Sequence, residues 1–207
     1  MKLIIGTRNQ AKIDQVKSAL KGWEIDIDGL PNNINFPPIT EDGPTAVANA
    51  RKKALTYAKL IGQPVFSMDN TLYFEGLSND HQPGLNVRRI GSGSARLSDL
   101  EAVEYYAKII KSVGDRIVGY WEYGLCLARP DGQTKETTFR SPRTFVSEPS
   151  PKVIAGYPLE SLQIDPGTGK YSSEVTAEER DKFYQGSETT GQKLRDFIAS
   201  LPKYYLN

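Results

Sequence analysis

Two acidic residues, Glu41 and Asp69, stand where the chain enters or leaves a predicted element. Asp69 follows the apolar stretch 65–68, and a carboxylate at the end of a buried strand commonly points into a cleft. Glu41 precedes a helix, where it either favours the helix dipole or binds a hard cation. The two carboxylates would form a minimal pair of ligands for Mg²⁺, which keeps several waters and also binds substrate phosphates.

A strand that ends in glycine and a polar loop open the chain and are suited to binding phosphate. The loop runs from Gly6 to Lys12. The helix that follows presents free N–H groups and the positive end of its dipole. Thr7 and Asn9 can donate hydrogen bonds, and Lys12 adds a positive charge. The alternative is that Thr7 or Asn9 only caps the helix and Lys12 is solvated, since the spacing of a Walker A loop is missing.

The helix predicted over 45–61 carries two polar residues on one face. Asn49 and Lys53 are four residues apart and therefore lie side by side. Asn49 interrupts an alanine-rich helix, where a better helix former would be expected. A lone asparagine on a helix is usually a surface residue, so this position indicates either chemistry or simple exposure.

Composition excludes several classes of protein. Among 207 residues, 26 Lys and Arg nearly balance 25 Asp and Glu, so the chain lacks the basic excess of a nucleic-acid binder. One cysteine, Cys126, and one histidine, His81, exclude a disulfide framework and a multi-cysteine or multi-histidine zinc site. Apolar runs are too short for a membrane span, and a signal-peptide pattern is missing. We therefore expect a cytoplasmic protein that binds neither nucleic acid nor membrane.

Strands and helices alternate along the sequence. Strands are predicted over 2–6, 23–28, 64–77, 117–128 and 134–139, and helices over 10–20, 45–61 and 192–201, with two more beginning at capping boxes at 98–101 and 176–179. This alternation predicts an α/β fold with a mixed central sheet and flanking helices. We expect one domain over 1–207, with two lobes that enclose a nucleotide cleft.

In their order and spacing these motifs resemble those of the inosine triphosphate pyrophosphatase family. The family's T/S-G-N-x-x-K loop corresponds to 7–12, its E-T-G-x-T-F-x-E-N-A-x-x-K-A segment to 41–54, A-D-D-S-G-L to 67–72, and P-G-x-x-S-A-R to 83–89. Chain length agrees as well. The second half agrees less closely, although the family's base-binding G-F-G-[YW]-D-P segment aligns with 156–161 and its G-K…E-E-K segment with 169–180.

Several positions depart from the family's pattern. Met68 stands where the family has the first aspartate of its pair, and Ala48 replaces a glutamate on the helix. The family's S-H-R motif falls at 184–186, where Gln185 and Gly186 replace the histidine and arginine. We therefore expect that phosphate binding is preserved and that base choice differs.

The resemblance implies a Mg²⁺-dependent hydrolase that converts nucleoside triphosphates, with non-standard purines such as ITP, XTP and dITP, to the monophosphate and pyrophosphate. It implies that Glu41 and Asp69 bind the metal and that Asp69, Lys53 and Asn49 act in catalysis. The implied substrate-binding residues are Thr7, Asn9, Lys12, Arg89, Tyr157, Glu160, Lys170 and Arg180. Asp69 either activates the attacking water or serves only as a metal ligand.

The resemblance also implies a homodimer, to which the aromatic segment 120–123 could contribute. Two other functions are open at this stage. One is a protein of the same fold that binds nucleotides with altered base specificity or little catalysis. The other is an oligomeric interaction domain that uses segment 120–123 as its interface, although alternation there more often packs one aromatic face on a core.

Overall fold

The computed structural model describes residues 2–89, 95–184 and 189–205, so the departures at Gln185 and Gly186 lie outside the described residues. Helices and strands alternate along it. In chain order they are β1 (Lys2–Ile5), α1 (Gln10–Ala19), β2 (Asp26–Asp28), α2 (Ala46–Ile61), β3 (Val65–Phe74), α3 (Asp99–Ser112), β4 (Arg116–Ala128), β5 (Thr134–Val146), β6 (Gln163–Ile164), α4 (Ala177–Tyr184) and α5 (Thr190–Ala199). Short 3₁₀ helices lie at 79–81, 158–162 and 203–205.

The strands form one sheet with the order β2-β1-β3-β4-β5-β6. β1 is parallel to both β2 and β3, whereas β5 and β6 are antiparallel. The predicted α/β fold with a mixed sheet and flanking helices is confirmed. Within the described part of the chain, we find no helix with the length and apolar character that crossing a bilayer requires.

Two strands differ from their predicted lengths. β2 is restricted to Asp26–Asp28, although the alternating pattern predicted a strand from Trp23. The N–H of Trp23 donates to the carbonyl of Leu20 (3.1 Å), which extends the turn after α1 and delays the start of the strand. β5 continues past Phe139 to Val146, because its last residues pair with β6.

The described residues group into two compact units. The first takes in residues 2–70, 122–139 and 189–205, and the second takes in residues 71–89, 95–121 and 140–184. Each unit has its own apolar core.

In the first unit, helices cover both faces of the sheet. α1 and α5 pack on the face that carries Leu3, Ile5 and Phe66. α2 packs on the opposite face, where Ala50, Ala54 and Ala58 are completely buried against Ile4, Val65 and Cys126. These small side chains allow a close approach of the helix to the sheet, so the polar residues of α2 are held near the strand ends.

Gly124 on β4 supports the beginning of α2. A methyl group placed on its Cα would lie 2.1 Å from the backbone nitrogen of Val47 and 2.4 Å from the carbonyl carbon of Ala46. Only glycine fits a position where a helix backbone lies this close to a strand. The placement of α2 therefore depends on this residue.

The second unit has a separate core, formed where α3 and the 3₁₀ helix at 158–162 pack on the sheet. Its largest completely buried side chains are Tyr106, Phe74 and Phe145. The hydroxyl of Tyr106 donates to the carbonyl oxygen of Val87 (3.0 Å), which ties the segment before residue 90 to α3.

Candidate active site

The loop after β1 lies beside the central part of β3. The register pairs Ile5 with Phe66, and the N–H of Gly6 donates to the carbonyl of Phe66 (2.7 Å). β1 and β3 are parallel, and β3 extends beyond the end of β1. Asp69 therefore lies past the last residue of β1, on the side where the loop after β1 begins. Side chains at period two share a face of a strand, so Asp69 lies on the same face as Val65, toward α2.

Asp69 contacts two lysines through one carboxylate oxygen. Its Oδ1 lies 3.6 Å from Nζ of Lys12 and 3.5 Å from Nζ of Lys53. The side chains of Asp69 and Lys53 are only 13% and 11% exposed. Lys12 comes from α1 and Lys53 from α2, so the helices on opposite faces of the sheet both direct an ammonium group to the same carboxylate.

Glu41 completes this cluster from the loop before α2. Its Oε1 lies 2.7 Å from Nζ of Lys53. A second ion pair of the same kind stands beside it, since Oδ1 of Asp42 lies 2.6 Å from Nζ of Lys52. The two pairs differ in exposure, because the side chain of Lys52 is 43% exposed and that of Lys53 is 11% exposed. We call Lys12, Glu41, Lys53 and Asp69 the charged cluster.

Asn49 is buried rather than exposed, with 1% of its surface accessible. Its Oδ1 accepts a hydrogen bond from the backbone N–H of Gly43 (2.8 Å), so it fixes the loop that carries Glu41. A methyl group on Gly43 would lie 2.7 Å from that same oxygen, which explains the glycine. The interpretation of Asn49 as a surface residue is wrong, and its amide positions the loop.

Thr7 and Asn9 form the start of α1. The side-chain Oδ1 of Asn9 accepts from the N–H of Ala11 (3.0 Å), and Oγ1 of Thr7 accepts from the N–H of Asn9 (3.1 Å). Capping is therefore what these two side chains do in the described structure. The alternative of a solvated Lys12 is wrong, because its side chain is 15% exposed and Nζ also donates to the carbonyl of Met68 (3.4 Å).

Burial lowers the pKa of Lys12 below its ordinary value. The nearby Asp69 carboxylate opposes that shift, and the like charge of Lys53 reinforces it. An anion that came close to Nζ would favour the charged form. The electrostatics of Lys12 are thus those of a cation suited to receiving an oxyanion.

Met68 plays a different part from the one its alignment suggests. Its side chain is 3% exposed and packs in the apolar cluster of α1 and α5, on the other face of β3 from Asp69. Its carbonyl oxygen accepts from Nζ of Lys12 (3.4 Å) and of Lys53 (3.5 Å). Met68 therefore helps to hold both lysines through its backbone.

The charged cluster fits a hard divalent cation that is shared with a substrate. Glu41 and Asp69 both contact the ammonium of Lys53, at 2.7 and 3.5 Å. Within the ranges that the structure describes, no three acidic, histidine or cysteine side chains group into a metal site. Mg²⁺ is commonly bound by one or two carboxylates together with phosphate oxygens, and this donor set fits that arrangement.

In the second unit the structure brings together three of the predicted substrate-binding residues, Tyr157, Glu160 and Arg180. Glu160 lies in the 3₁₀ helix at 158–162, and its N–H donates to the carbonyl of Tyr157 (3.1 Å). Nη2 of Arg180 lies 3.7 Å from Oε2 of Glu160 and donates to the carbonyl of Ser172 (3.0 Å). These contacts place a carboxylate and a guanidinium side by side, and the backbone of Tyr157 next to the carboxylate-bearing residue.

Lys170 and Arg89 lie at the surface. The ammonium of Lys170 pairs with the carboxylate of Glu179, which adjoins Arg180 on α4. Arg89 occupies an exposed turn, where its N–H donates to the carbonyl of Asn86 (2.8 Å). Both side chains are accessible to an anionic ligand.

Sequence reasoning missed a hydrogen-bonded network around Arg88. Its Nη1 lies 2.7 Å from Oδ1 of Asp99, and Oδ2 of Asp99 accepts from the N–H of Gly156 (2.9 Å). Burial would raise the pKa of Asp99, but these hydrogen bonds outweigh it and lower the pKa. The network fixes the residue that precedes Tyr157. The signal for this network in the sequence was Asp99, an acidic residue in the first turn of α3.

The second unit also contains an open cavity of about 580 Å³. Its lining includes Lys111, Arg116 and Tyr171 and none of the predicted site residues. The charged groups that could perform chemistry, including the largely buried Lys53 and Asp69, lie instead in the charged cluster.

The pH dependence of stability tests the environment of the Glu160 carboxylate. Burial raises the pKa of Glu160 above the ordinary value of 4.5, although Arg180 and Arg143 oppose the shift. The wild type therefore loses stability as the pH rises from 4.5 through the folded-state pKa. We expect the free energy of unfolding of Glu160→Gln, relative to wild type, to increase with pH over that range in urea titrations.

Glu179 is the control for this prediction, because its pKa is lowered by the hydrogen bond from Lys170. The wild type loses that stabilisation as the pH falls from 4.5, so Glu179→Gln should become less stable, relative to wild type, as the pH rises over that acidic range. If the stabilities of both variants, each relative to wild type, changed with pH in the same direction, the opposite pKa shifts of Glu160 and Glu179 would be contradicted.

Comparison with known proteins gives the chain its relatives. A model of the Ham1 family matches residues 3–185. The chain belongs to the Ham1 family. Among its family relatives, a protein of Geobacter sulfurreducens named dITP/XTP pyrophosphatase is 27% identical over 188 residues, covering 87% of this chain and 88% of the relative. A protein of the same name from Exiguobacterium sibiricum is 26% identical and covers 99% of this chain and 98% of the relative.

Solved Ham1 structures share the fold of this Ham1 chain. A HAM1 protein from Coxiella burnetii superimposes with a TM-score of 0.73 at 20% identity, covering 96% of this chain and 97% of that one. The Ham1 protein of Staphylococcus aureus gives a TM-score of 0.69 at 18% identity, with the same coverage. The family resemblance that the motifs indicated is confirmed, and the pyrophosphatase activity that it implied agrees with the names of the relatives.

Proposed function

We propose that this Ham1 protein hydrolyses nucleoside triphosphates to the monophosphate and pyrophosphate, with non-standard purine nucleotides such as ITP, XTP and dITP as substrates. The observation that carries the proposal is the charged cluster, in which two lysines and two carboxylates from distant parts of the chain meet, with the side chains of Lys12, Lys53 and Asp69 at most 15% exposed. The names of the Geobacter and Exiguobacterium relatives support the choice of substrate.

The two lysines of the cluster bind the triphosphate. Nζ of Lys12 and Nζ of Lys53 lie beside one carboxylate oxygen, so they can neutralise neighbouring phosphate groups. Asn49 positions the loop of Glu41, and Thr7 and Asn9 fix the start of α1, from which Lys12 projects. These groups supply positioning and charge, which dominate catalysis of phosphoryl and nucleotidyl transfer.

Glu41 and Asp69 would hold Mg²⁺, which when bound polarises phosphate oxygens and makes phosphorus more electrophilic. Asp69 also orients the attacking water and accepts its proton, since it is the more buried of the two carboxylates. Lys12 and Lys53 then neutralise charge as the bond between the α and β phosphates breaks, and pyrophosphate leaves.

The second unit carries the proposed base recognition. Tyr157 stacks on the base, and Glu160 and Arg180 present an acceptor and a donor from neighbouring positions. Lys170 and Arg89 contact substrate phosphates or the ribose from the surface. The half-buried Glu160 supports this role, because partial burial raises its pKa and a carboxyl group with a raised pKa can donate as well as accept.

The assembly and location of the chain are part of the same proposal. The chain works as one domain over 1–207, supported by the long strands β3, β4 and β5, which run through both compact units. It forms a homodimer, supported by the half-exposed rings of Tyr73 and Tyr120, stacked at 5.3 Å beneath Arg140. It acts in the cytoplasm, where its substrates arise and a free thiol such as that of Cys126 persists.

A substrate panel tests the proposal. Purified protein with Mg²⁺ is incubated with ITP, XTP, dITP and the standard triphosphates, and pyrophosphate and monophosphate are measured. We expect equal amounts of the two products, with the non-standard purines hydrolysed faster than ATP. Release of orthophosphate, or no release at all, would contradict the proposal. Tight nucleotide binding without turnover would favour the alternative of a binding protein with little catalysis.

A further inference from the structure

We propose that the divalent cation and the triphosphate bind to the charged cluster as a pair. In the free chain, the carboxylates that the cation needs are paired with the lysines that the triphosphate needs, so neither ligand binds well until both are present. This inference rests on the function proposed above and concerns how that site is loaded. It follows from the ion pairs of the free chain.

Both carboxylates of the cluster are already engaged by ammonium groups. Glu41 is 2.7 Å from Nζ of Lys53, and Asp69 contacts both Lys53 and Lys12. A cation that arrives alone must compete with Lys53 for both of its protein ligands. It would also place a second positive charge beside an ammonium group that is only 11% exposed, where charges are weakly screened.

The lysines are committed in the same way. A triphosphate without metal must compete with Glu41 and Asp69 for Lys53, and it brings negative charge next to two carboxylates. When both ligands arrive together the ion pairs are exchanged, since the ammonium groups turn to phosphate and the carboxylates turn to the cation. No buried charge is left without a partner, which is the condition for a buried ion pair to be tolerated.

The small number of acidic ligands supports the same conclusion. Across the described ranges, no third acidic, histidine or cysteine side chain joins Glu41 and Asp69 to complete a metal site. Position 68, next to Asp69, carries a buried apolar side chain. Mg²⁺ prefers six oxygen ligands, so phosphate oxygens and water must supply the rest. Coupling between ligands is reciprocal, and the triphosphate therefore gains from the cation as much as the cation gains from it.

The adjacent ion pairs Glu41–Lys53 and Asp42–Lys52 provide a matched experiment on the intact chain. Binding of Mn²⁺ alone is measured by electron paramagnetic resonance of the free ion, with no nucleotide present. We expect weak binding to wild type and about tenfold tighter binding to Lys53→Met, in which Glu41 loses its contact with Lys53 and Asp69 keeps only Lys12. Lys52→Met and the charge-conserving Lys53→Arg should bind Mn²⁺ as weakly as wild type does.

The reverse titration tests the same coupling from the other side. Binding of the non-hydrolysable α,β-imido analogue of ITP is measured in EDTA by calorimetry. Glu41→Gln should bind the metal-free analogue severalfold more tightly than wild type, and Asp42→Asn should not differ from it. Circular dichroism confirms that each variant is folded.

Two results would overturn the inference: wild type that binds Mn²⁺ alone as tightly as Lys53→Met does, or equal tightening of Mn²⁺ binding by Lys52→Met and Lys53→Met. These titrations use no turnover. Loss of the proposed function in the substrate panel and loss of the coupling are therefore separate outcomes.

Discussion

Replacing Asp69 with asparagine will reduce the turnover of ITP by about 10²- to 10⁴-fold, the usual contribution of a positioned general base. The substitution keeps the shape of the side chain but removes the negative charge that Lys12 and Lys53 share. The amide can neither accept a proton from water nor bind a cation as a carboxylate does. The measurement is pyrophosphate release at saturating ITP and Mg²⁺.

Asp42→Asn is the control for this substitution. Asp42 also pairs with a lysine, but it is 64% exposed and lies outside the charged cluster. We expect its turnover to stay within about threefold of wild type, since exposed ion pairs contribute little. If Asp69→Asn retained both the turnover and the Mn²⁺ affinity of wild type, Asp69 would have no place in the mechanism. If its Mn²⁺ affinity fell while its turnover at saturating Mg²⁺ did not, Asp69 would be a metal ligand alone.

Replacing Gly124 with alanine will destabilise the chain by about 3 kcal/mol and lower turnover as well, the upper part of the range for overpacked positions. The added methyl would lie 2.1 Å from the nitrogen of Val47 and 2.4 Å from its Cα. Backbone atoms inside a helix cannot rotate away as the end of a side chain can. The beginning of α2 must therefore move, and Asn49 and Lys53 move with it.

Gly191→Ala provides the matched control. Gly191 lies in the first turn of α5, and a methyl group there would meet nothing closer than 3.7 Å. Alanine should stabilise the helix by up to about 1 kcal/mol through its higher propensity. Urea denaturation measures both variants, and turnover is measured below the transition. Equal stabilities for the two variants would mean that α2 does not press on β4 as described.

Much of the fold could be predicted because its signals are local. The alanine stripe of 45–61 predicted α2, and Thr45 does cap it by accepting from the N–H of Ala48 (3.2 Å). The capping box at Ser98 and Glu101 marked the start of α3 correctly. Strand ends were less predictable, because pairing with a neighbour decides them. β6, for instance, has two residues and depends on β5.

The charged cluster could be predicted only in part. The sequence indicated which lysines and carboxylates could act, but not that one oxygen of Asp69 would serve two ammonium groups. It also gave no signal that the carbonyl of Met68 would hold both lysines, since a backbone acceptor has no residue type. The support from Gly124 was missed for a similar reason, because a close approach between β4 and α2 depends on packing between distant segments.

Asn49 shows how a single buried amide changes an interpretation. The family resemblance implied a catalytic role for Asn49, and that role stays a prediction. The structure adds that its oxygen holds the backbone of Gly43, so the same residue keeps the loop of Glu41 in place. Polar groups this deeply buried are retained when they are hydrogen bonded, and here the bond joins the loop to α2.

The most direct test of the account is a crystal structure of the protein with Mn²⁺ and the α,β-imido analogue of ITP. We expect an anomalous manganese peak bound by Glu41 and Asp69 and by phosphate oxygens, with Nζ of Lys12 and of Lys53 on the triphosphate. A triphosphate bound elsewhere, such as in the cavity lined by Lys111 and Arg116, with the Lys53–Glu41 pair intact, would contradict it.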